Sequence, residues 1–151
     1  MLIKPEVQEY ELAAVTGDLE LLAQADLGVY FSTVLCAKAA RAGNLKTVKW
    51  FQSQGCLLDV DICTQATIGG HFEVLKWIRE NGCPWDSGVC LEAAANGHLE
   101  ILKWALSQGC YNSMFSVNAA KSSGYDHLVT WLLEHGHEYP TAGTVGPTGP
   151  H

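Results

Sequence analysis

Basic residues are scarce in this chain. Its 151 residues include nine Lys and Arg against 16 Asp and Glu, which gives a formal net charge of −7. A protein that binds nucleic acid needs a basic face to replace the counterions of the phosphates. We therefore expect no nucleic-acid partner.

Long apolar runs are also missing. A helix that crosses a bilayer needs about 20 consecutive, largely apolar residues, and the sequence has no such run. The first residues include Lys4, Glu6 and Glu9 where a secretory signal would carry an apolar stretch. We expect no membrane partner and an intracellular, cytoplasmic location.

The common motifs of catalytic and metal sites are absent as well. The sequence has no glycine-rich phosphate loop, no nucleophile elbow and no Cys-x-x-Cys pair. The carboxylates that recur, such as Glu73 and Glu100, fall in the first turns of predicted helices, where the helix dipole favours an anion. We predict that the protein is not an enzyme and that it has no catalytic residue, no cofactor and no metal.

Glycine, by contrast, recurs at nearly constant spacing. The first interval is 26 residues and the later ones are 27, at Gly17, Gly43, Gly70, Gly97 and Gly124. The surrounding residues repeat too, as in GHFEVLKWIRENGCPWD and GHLEILKWALSQGCYNS. Self-similarity at a fixed short period is the signature of a repeat protein, in which one small unit is stacked several times.

Each repeat begins with a pattern typical of a short helix. A residue type that caps free helical N–H groups stands at the same place in four copies, namely Ser32, Asp59, Asp86 and Ser113. An alanine follows seven residues later, which predicts close packing against a neighbouring helix, at Ala39, Ala66, Ala93 and Ala120. The recurring glycine can adopt the left-handed conformation that ends a helix.

A second helix is predicted in each repeat. Phe72, Leu75 and Ile78 follow helical spacing, and Glu73 and Lys76 fall between them. This helix ends at another column of glycines, Gly55, Gly82, Gly109 and Gly136. Trp50, Trp77, Trp104 and Trp131 recur on it, and at this spacing they are predicted to pack one repeat on the next. Every repeat is therefore predicted to be a helix hairpin.

The six cysteines follow the repeat and form two columns, Cys36, Cys63 and Cys90, and Cys56, Cys83 and Cys110. Val117 continues the first column, which indicates a small buried packing position. Stacked helices lie about 8–10 Å apart, so members of one column cannot share a zinc ion. We expect reduced thiols. A cross-column pair such as Cys63 and Cys83 leaves open a metal or disulfide, and hence a thiol or metal sensor.

The run Ala-Ala-x-x-Gly-His-Leu-Glu-Ile-Leu, at Ala93 to Leu102, resembles the second half of an ankyrin repeat, and the match recurs from about residue 10 to 136. The usual repeat has about 33 residues, so about six are lost here, between Gly82 and Cys90, where the family has a β-hairpin finger. The Gly-Cys-Pro-Trp-Asp style resembles compact ankyrin arrays of protists and large DNA viruses, which extends the expected cytoplasm to that of an infected host.

The resemblance implies an all-α, ankyrin-like solenoid of about five helix-turn-helix repeats with shortened loops between them. The repeat domain is predicted over residues 1–136, with an N-terminal capping repeat at 1–28 and further repeats at 29–55, 56–82, 83–109 and 110–136. Residues 137–151 contain few large apolar side chains and are predicted to form a disordered tail.

The resemblance also implies a non-catalytic scaffold, expected to be monomeric, that binds a partner protein through its concave face. At the ends of the first helices the matching positions are Arg41, Ala42, Ile68, Gly69, Ala95, Asn96 and Ser122. Near the loops that precede these helices they are Trp85, Ser87 and Met114. Arg41, Ile68 and Trp85 are the predicted anchors, because aromatic residues and Arg dominate many interfaces. The alternative is a substrate-recognition adapter of a larger complex, such as a ubiquitin ligase.

Overall fold

A computed structural model describes residues 6–26, 28–110 and 114–135 of the chain. These residues form ten helices, and no strand occurs among them. The helices are α1 (Val7–Thr16), α2 (Leu19–Ala23), α3 (Gly28–Ala42), α4 (Leu45–Ser53), α5 (Val60–Ile68), α6 (Phe72–Glu80), α7 (Gly88–Ala95), α8 (Leu99–Ser107), α9 (Met114–Ser122) and α10 (Asp126–His135). Of these, none is both long enough and apolar enough to cross a membrane.

The chain divides into two compact units, Met1–Pro84 and Trp85–His151. In the first unit, helices pair as α1 with α2, α3 with α4, and α5 with α6. In the second, α7 pairs with α8 and α9 with α10. The predicted helix hairpin is therefore confirmed in each repeat. The link between α4 and α5, residues 54–59, contains no strand, as predicted for a shortened loop.

The second helix of a hairpin has one buried face. In α6, the side chains of Val74, Leu75 and Ile78 are buried, whereas Glu73 and Glu80 are exposed. The buried residues recur at three- and four-residue spacing, which brings them onto one side of the helix. Burial of this apolar face is the main favourable contribution to the packing of each hairpin.

The first helices pack on one another within each unit, α1 with α3 and α3 with α5 in the first unit, and α7 with α9 in the second. The recurring alanines lie in these contacts and have no exposed surface, as predicted: Ala39, Ala66, Ala93 and Ala120. A methyl side chain lets two helix backbones approach closely, so the alanine column determines how tightly neighbouring repeats pack.

The predicted glycine stops are confirmed by their backbone conformation. The φ angles of the glycines that end the first helices lie between 74° and 87°, at Gly17, Gly43, Gly70, Gly97 and Gly124. Those that end the second helices have φ of 86° to 91°, at Gly55, Gly82 and Gly109. This left-handed region is unfavourable for residues with a Cβ atom. Gly136 and residues 137–151 lie outside the described residues.

The predicted helix starts are only partly correct. Asp59 caps α5 as expected, since its side chain accepts a hydrogen bond from the Ile62 N–H at 3.0 Å. Helix α7 begins later than predicted, at Gly88, and the cap position is Ser87. The Asp86 carboxylate still accepts a hydrogen bond from the Gly88 N–H at 2.8 Å. Ser113 lies outside the described residues.

The prediction for Ser32 is wrong, because Ser32 lies inside α3, which begins a full turn earlier at Gly28. The additional turn belongs to the same helix as Phe31, whose ring packs edge-to-face on Tyr10 of α1 with centroids 6.3 Å apart. An aromatic pair of this geometry contributes roughly 0.5–1.5 kcal/mol beyond the area it buries. This contact with the first repeat favours a longer α3.

The fold contains a buried hydroxyl that can be removed. Thr47 has no exposed surface, and its Oγ1 has no hydrogen-bond partner among the described residues. The same repeat position holds Val74 and Ile101. We expect Thr47→Val to raise the free energy of unfolding by about 1–2 kcal/mol, because the substitution keeps the shape and removes an unsatisfied polar group. Urea denaturation at 25 °C measures the change.

Thr67→Val is the matched control for this substitution. Thr67 is equally buried, but its hydroxyl donates a hydrogen bond to the Cys63 carbonyl at 2.9 Å. The control therefore removes a satisfied hydroxyl, and we expect no stabilisation from it. A gain from Thr67→Val as large as that from Thr47→Val would contradict the argument.

The close approach of neighbouring repeats gives a second prediction. A Cβ atom on Gly43 would overlap the His71 imidazole ring, whereas a Cβ on Gly55 would meet nothing within 4 Å. Both glycines have positive φ. We expect Gly55→Ala to cost about 1–2 kcal/mol from backbone strain alone, and Gly43→Ala to cost about 1–3 kcal/mol more from the overlap. Equal thermal unfolding of the two variants would show that the ring gives way without cost.

Candidate protein-binding surface

The end of the first helix of each repeat is positioned by the next repeat. Asn44 follows Gly43 and caps α4, since its Oδ1 accepts a hydrogen bond from the Thr47 N–H at 3.1 Å. Its Nδ2 donates to the Val15 carbonyl at 3.2 Å. Asn44 therefore ties the end of α1 to the start of α4, and its position fixes the last turn of α1 relative to the second repeat.

Gly69 has a comparable structural role. A Cβ atom on Gly69 would overlap the carbonyl oxygen of Arg41, so the backbone of one repeat lies directly against the end of the preceding first helix. Gly69 was predicted from the sequence as a contact residue, and its close approach supplies a packing reason for the glycine. Ile68, its neighbour, is half-buried at the end of α5.

Arg41 and Ala42, both exposed, lie at the end of α3 and border a groove of about 500 Å³ against α1. We call this the α1–α3 groove. Leu12 and Val15 of α1 also line it, and their side chains are 63% and 41% exposed. At the edge of the groove, the Lys38 ammonium pairs with the Glu11 carboxylate at 3.6 Å. No ion pair of Arg41 is found among the described residues. The groove thus combines exposed apolar side chains with a guanidinium group.

Sequence reasoning missed Leu12 and Val15. The predicted positions began at Arg41, although the same repeat position one interval of 26 residues earlier is Val15. Carrying the comparison back into the N-terminal repeat would have identified Val15. Leu12 carries no equivalent signal, because apolar residues of an amphipathic helix are more often buried, as its neighbours Ala13 and Ala14 are.

In the second unit, the predicted residues lie at both ends of short helices. Trp85 is half-buried because its ring packs on Trp104, with centroids 5.5 Å apart and planes at 72°. The Asn96 side chain donates to the Glu92 carbonyl at 2.8 Å and to its carboxylate at 3.2 Å. Ser87 and Ala95 are half-buried, and Ser122 is exposed.

Met114 is the most exposed of the predicted residues in this unit. Its side chain is 66% exposed at the start of α9, and the adjacent Phe115 is 74% exposed. Phe115 was not predicted as a contact. Two large apolar side chains in water at one helix start are uncommon unless a partner covers them.

The tryptophan column packs through a cation. The Lys49 ammonium lies over the Trp77 ring of the next repeat, 5.7 Å from its centroid. In the second unit, Lys103 stands in the same relation to Trp131 at 5.6 Å. Each contact contributes roughly 0.5–2 kcal/mol. The predicted role of these tryptophans in packing successive repeats is thus confirmed for these two pairs.

The cysteine columns are buried as predicted, with the exception of Cys56. Cys36, Cys63, Cys90 and Cys83 have no exposed surface, and Cys110 has 4%. The thiols are free, and cross-column pairs lie in contact, with sulfur atoms 3.0 Å apart in Cys63 and Cys83 and 2.9 Å apart in Cys90 and Cys110. Within the described part of the chain, no cluster of three or more potential metal ligands is found.

Helix hairpins about 27 residues long, closed by left-handed glycines and packed through a column of alanines, define a repeat protein with the ankyrin fold. The chain is similar to the crystal structure of the human ASB11 ankyrin repeat domain, with a TM-score of 0.66 and 18% sequence identity. The match covers 84% of this chain and 68% of that one. By sequence, no protein-family model and no curated protein matches the chain. The structural likeness confirms the predicted ankyrin-type fold.

Proposed function

We propose that this protein is a non-catalytic scaffold that binds a partner protein through the face formed by its first helices. The observation that carries the proposal is the α1–α3 groove, where exposed Leu12 and Val15 lie beside Arg41. Apolar anchors next to an Arg are typical of the residues that dominate protein interfaces. The fold supports this function, because stacked repeats present an extended surface.

The chemistry of the groove indicates what the partner presents to it. Leu12, Val15 and Ala42 favour an apolar side chain inserted between α1 and α3. Arg41 favours a carboxylate beside that side chain, because a guanidinium can bind a carboxylate through two parallel hydrogen bonds. Glu11 is already paired with Lys38 and so leaves Arg41 available for the partner.

Met114 and Phe115 provide a second contact in this proposal. They are the large exposed apolar residues at the start of α9, and Ser122 lies exposed at the end of the same helix. The remaining predicted positions, including Ile68, Trp85 and Asn96, are half-buried and contribute the part of their surface that packing leaves open. The adapter role finds no specific support in these contacts and stays a prediction.

The test is affinity capture with the full chain as bait, followed by calorimetry with the purified partner. We expect Leu12→Gln combined with Arg41→Glu to raise the Kd about 100-fold or more, since two interface hot spots are lost together. Circular dichroism and thermal unfolding must first show that the variant is folded. A Kd within a few-fold of the wild-type value would overturn the assignment of the groove.

The matched control combines Leu133→Gln with Lys46→Glu. Leu133 is 63% exposed, as is Leu12, and Lys46 is an exposed cation on α4, so the control makes the same chemical changes away from the groove. We expect the control to bind the partner as the wild type does. Equal losses in both variants would show that total charge and surface polarity, and not the groove, determine capture.

A further inference from the structure

Comparison of the repeats singles out Cys56. The Cys83 thiol donates a hydrogen bond to the Asp59 carbonyl at 3.0 Å, and the Cys110 thiol contacts the Asp86 carbonyl at 3.5 Å. In both repeats the acceptor lies 24 residues before the cysteine. The residue at that distance from Cys56 is Ser32, which lies inside α3, so its carbonyl faces the next turn of its own helix. The longer α3 therefore takes away the acceptor that the other repeats use.

The surroundings of Cys56 differ accordingly. Its sulfur lies 3.9 Å from the Thr33 hydroxyl and 3.7 Å from the Leu57 carbonyl, both long contacts. Cys56 is partly exposed, whereas Cys83 is fully buried and Cys110 nearly so. Of the second-column cysteines, Cys56 is thus the one that a molecule in solution can reach.

A cavity leads to this sulfur. Cys56 lines a space of about 360 Å³ between α2, α3 and α4, together with the apolar side chains of Leu22 and Trp50 and the polar side chains of Ser32 and Gln54. A volume of this size falls in the range of small-molecule sites. The cavity admits a small reagent to the thiol on the side away from Cys36.

The electrostatics divide the two thiols of this pair into different roles. The hydrogen bond with Cys36 lowers the pKa of Cys56 to about 7, despite partial burial, and the Thr33 hydroxyl acts in the same direction. The same hydrogen bond and the burial of Cys36 raise the pKa of Cys36. At neutral pH, about half of Cys56 is therefore thiolate, the nucleophilic form, while Cys36 keeps its proton. The pKa of Cys83 is lowered as well, by Cys63, but its complete burial denies access.

We propose that Cys56 and Cys36 form a redox-active dithiol that reacts with low-molecular-weight disulfides, independently of the protein-binding groove. The Cys56 thiolate attacks one sulfur of the small disulfide, whose S–S bond breaks and releases one thiolate. Cys36 then loses its proton and attacks the Cys56 sulfur of the mixed disulfide. The second small thiolate leaves and the Cys36–Cys56 disulfide forms. Two electrons pass from the dithiol to the small disulfide, and the two protons end on the two thiols released.

The repeat geometry makes the final step short. In the equivalent pairs, the sulfur atoms are 3.0 and 2.9 Å apart, and a disulfide needs about 2.05 Å. The disulfide would tie the middle of α3 to the end of the α4 segment and close a loop of about 20 residues. A link of this length restricts the unfolded chain, so oxidation raises the melting temperature.

The test treats the reduced, folded full chain with oxidised glutathione at pH 7, followed by acid quench, alkylation and peptide mapping by mass spectrometry. We expect a Cys36–Cys56 disulfide in the wild type. Its formation is roughly fivefold faster than the reaction of an ordinary thiol, because the larger thiolate fraction outweighs the lower intrinsic nucleophilicity. The rate rises with pH and is half-maximal near pH 7, the pKa of Cys56.

Three variants separate the steps. Cys36→Ser accumulates a mixed disulfide of glutathione on Cys56, because the resolving thiol is gone. Cys56→Ser loses the fast reaction, and Cys83→Ser, the matched control from the next repeat, keeps it. First linkage of Cys63 with Cys83 or of Cys90 with Cys110 in the folded wild type would overturn the proposal. So would a wild-type rate in Cys56→Ser. If a variant does not fold, the linkage map and pH profile of the wild type still decide.

Discussion

The close approach of neighbouring repeats is the constraint on which the rest of this structure depends. Alanines such as Ala39 and Ala66 have no exposed surface where first helices meet. At the helix ends, the backbone of one repeat lies so near the next that Gly43 and Gly69 have no room for a Cβ atom. Short hairpins bury little apolar surface on their own, and it is this tight stacking that supplies them with a core.

The same constraint forms the candidate binding surface. Because Asn44 joins the end of α1 to the second repeat, and because Gly69 lies against the Arg41 carbonyl, the last turns of α1 and α3 are held at a defined separation. The exposed side chains of Leu12, Val15 and Arg41 then project from a rigid framework. A preorganised surface loses little conformational entropy when it binds, which favours affinity.

One irregularity in the repeat links packing to thiol chemistry. Helix α3 begins at Gly28 and not at Ser32, and its first turns carry Phe31 onto Tyr10. The Asp59 carbonyl accepts a hydrogen bond from the thiol of the second-column cysteine in its repeat, and the longer α3 removes the equivalent acceptor from Cys56. A change in helix start at the end of the stack therefore alters the environment of a cysteine 24 residues later in the chain.

The sequence by itself determined the features that recur: the hairpin repeat, the buried alanine and cysteine columns and the left-handed glycines. Each depends on local backbone preference and on a packing position repeated several times, so the pattern is readable without the fold. Only the tertiary structure decided the start of α3, the exposure of Leu12, Val15 and Phe115, and the accessibility of Cys56. These depend on contacts between distant residues and on terminal repeats that lack a neighbour, where the regular pattern no longer predicts what is buried.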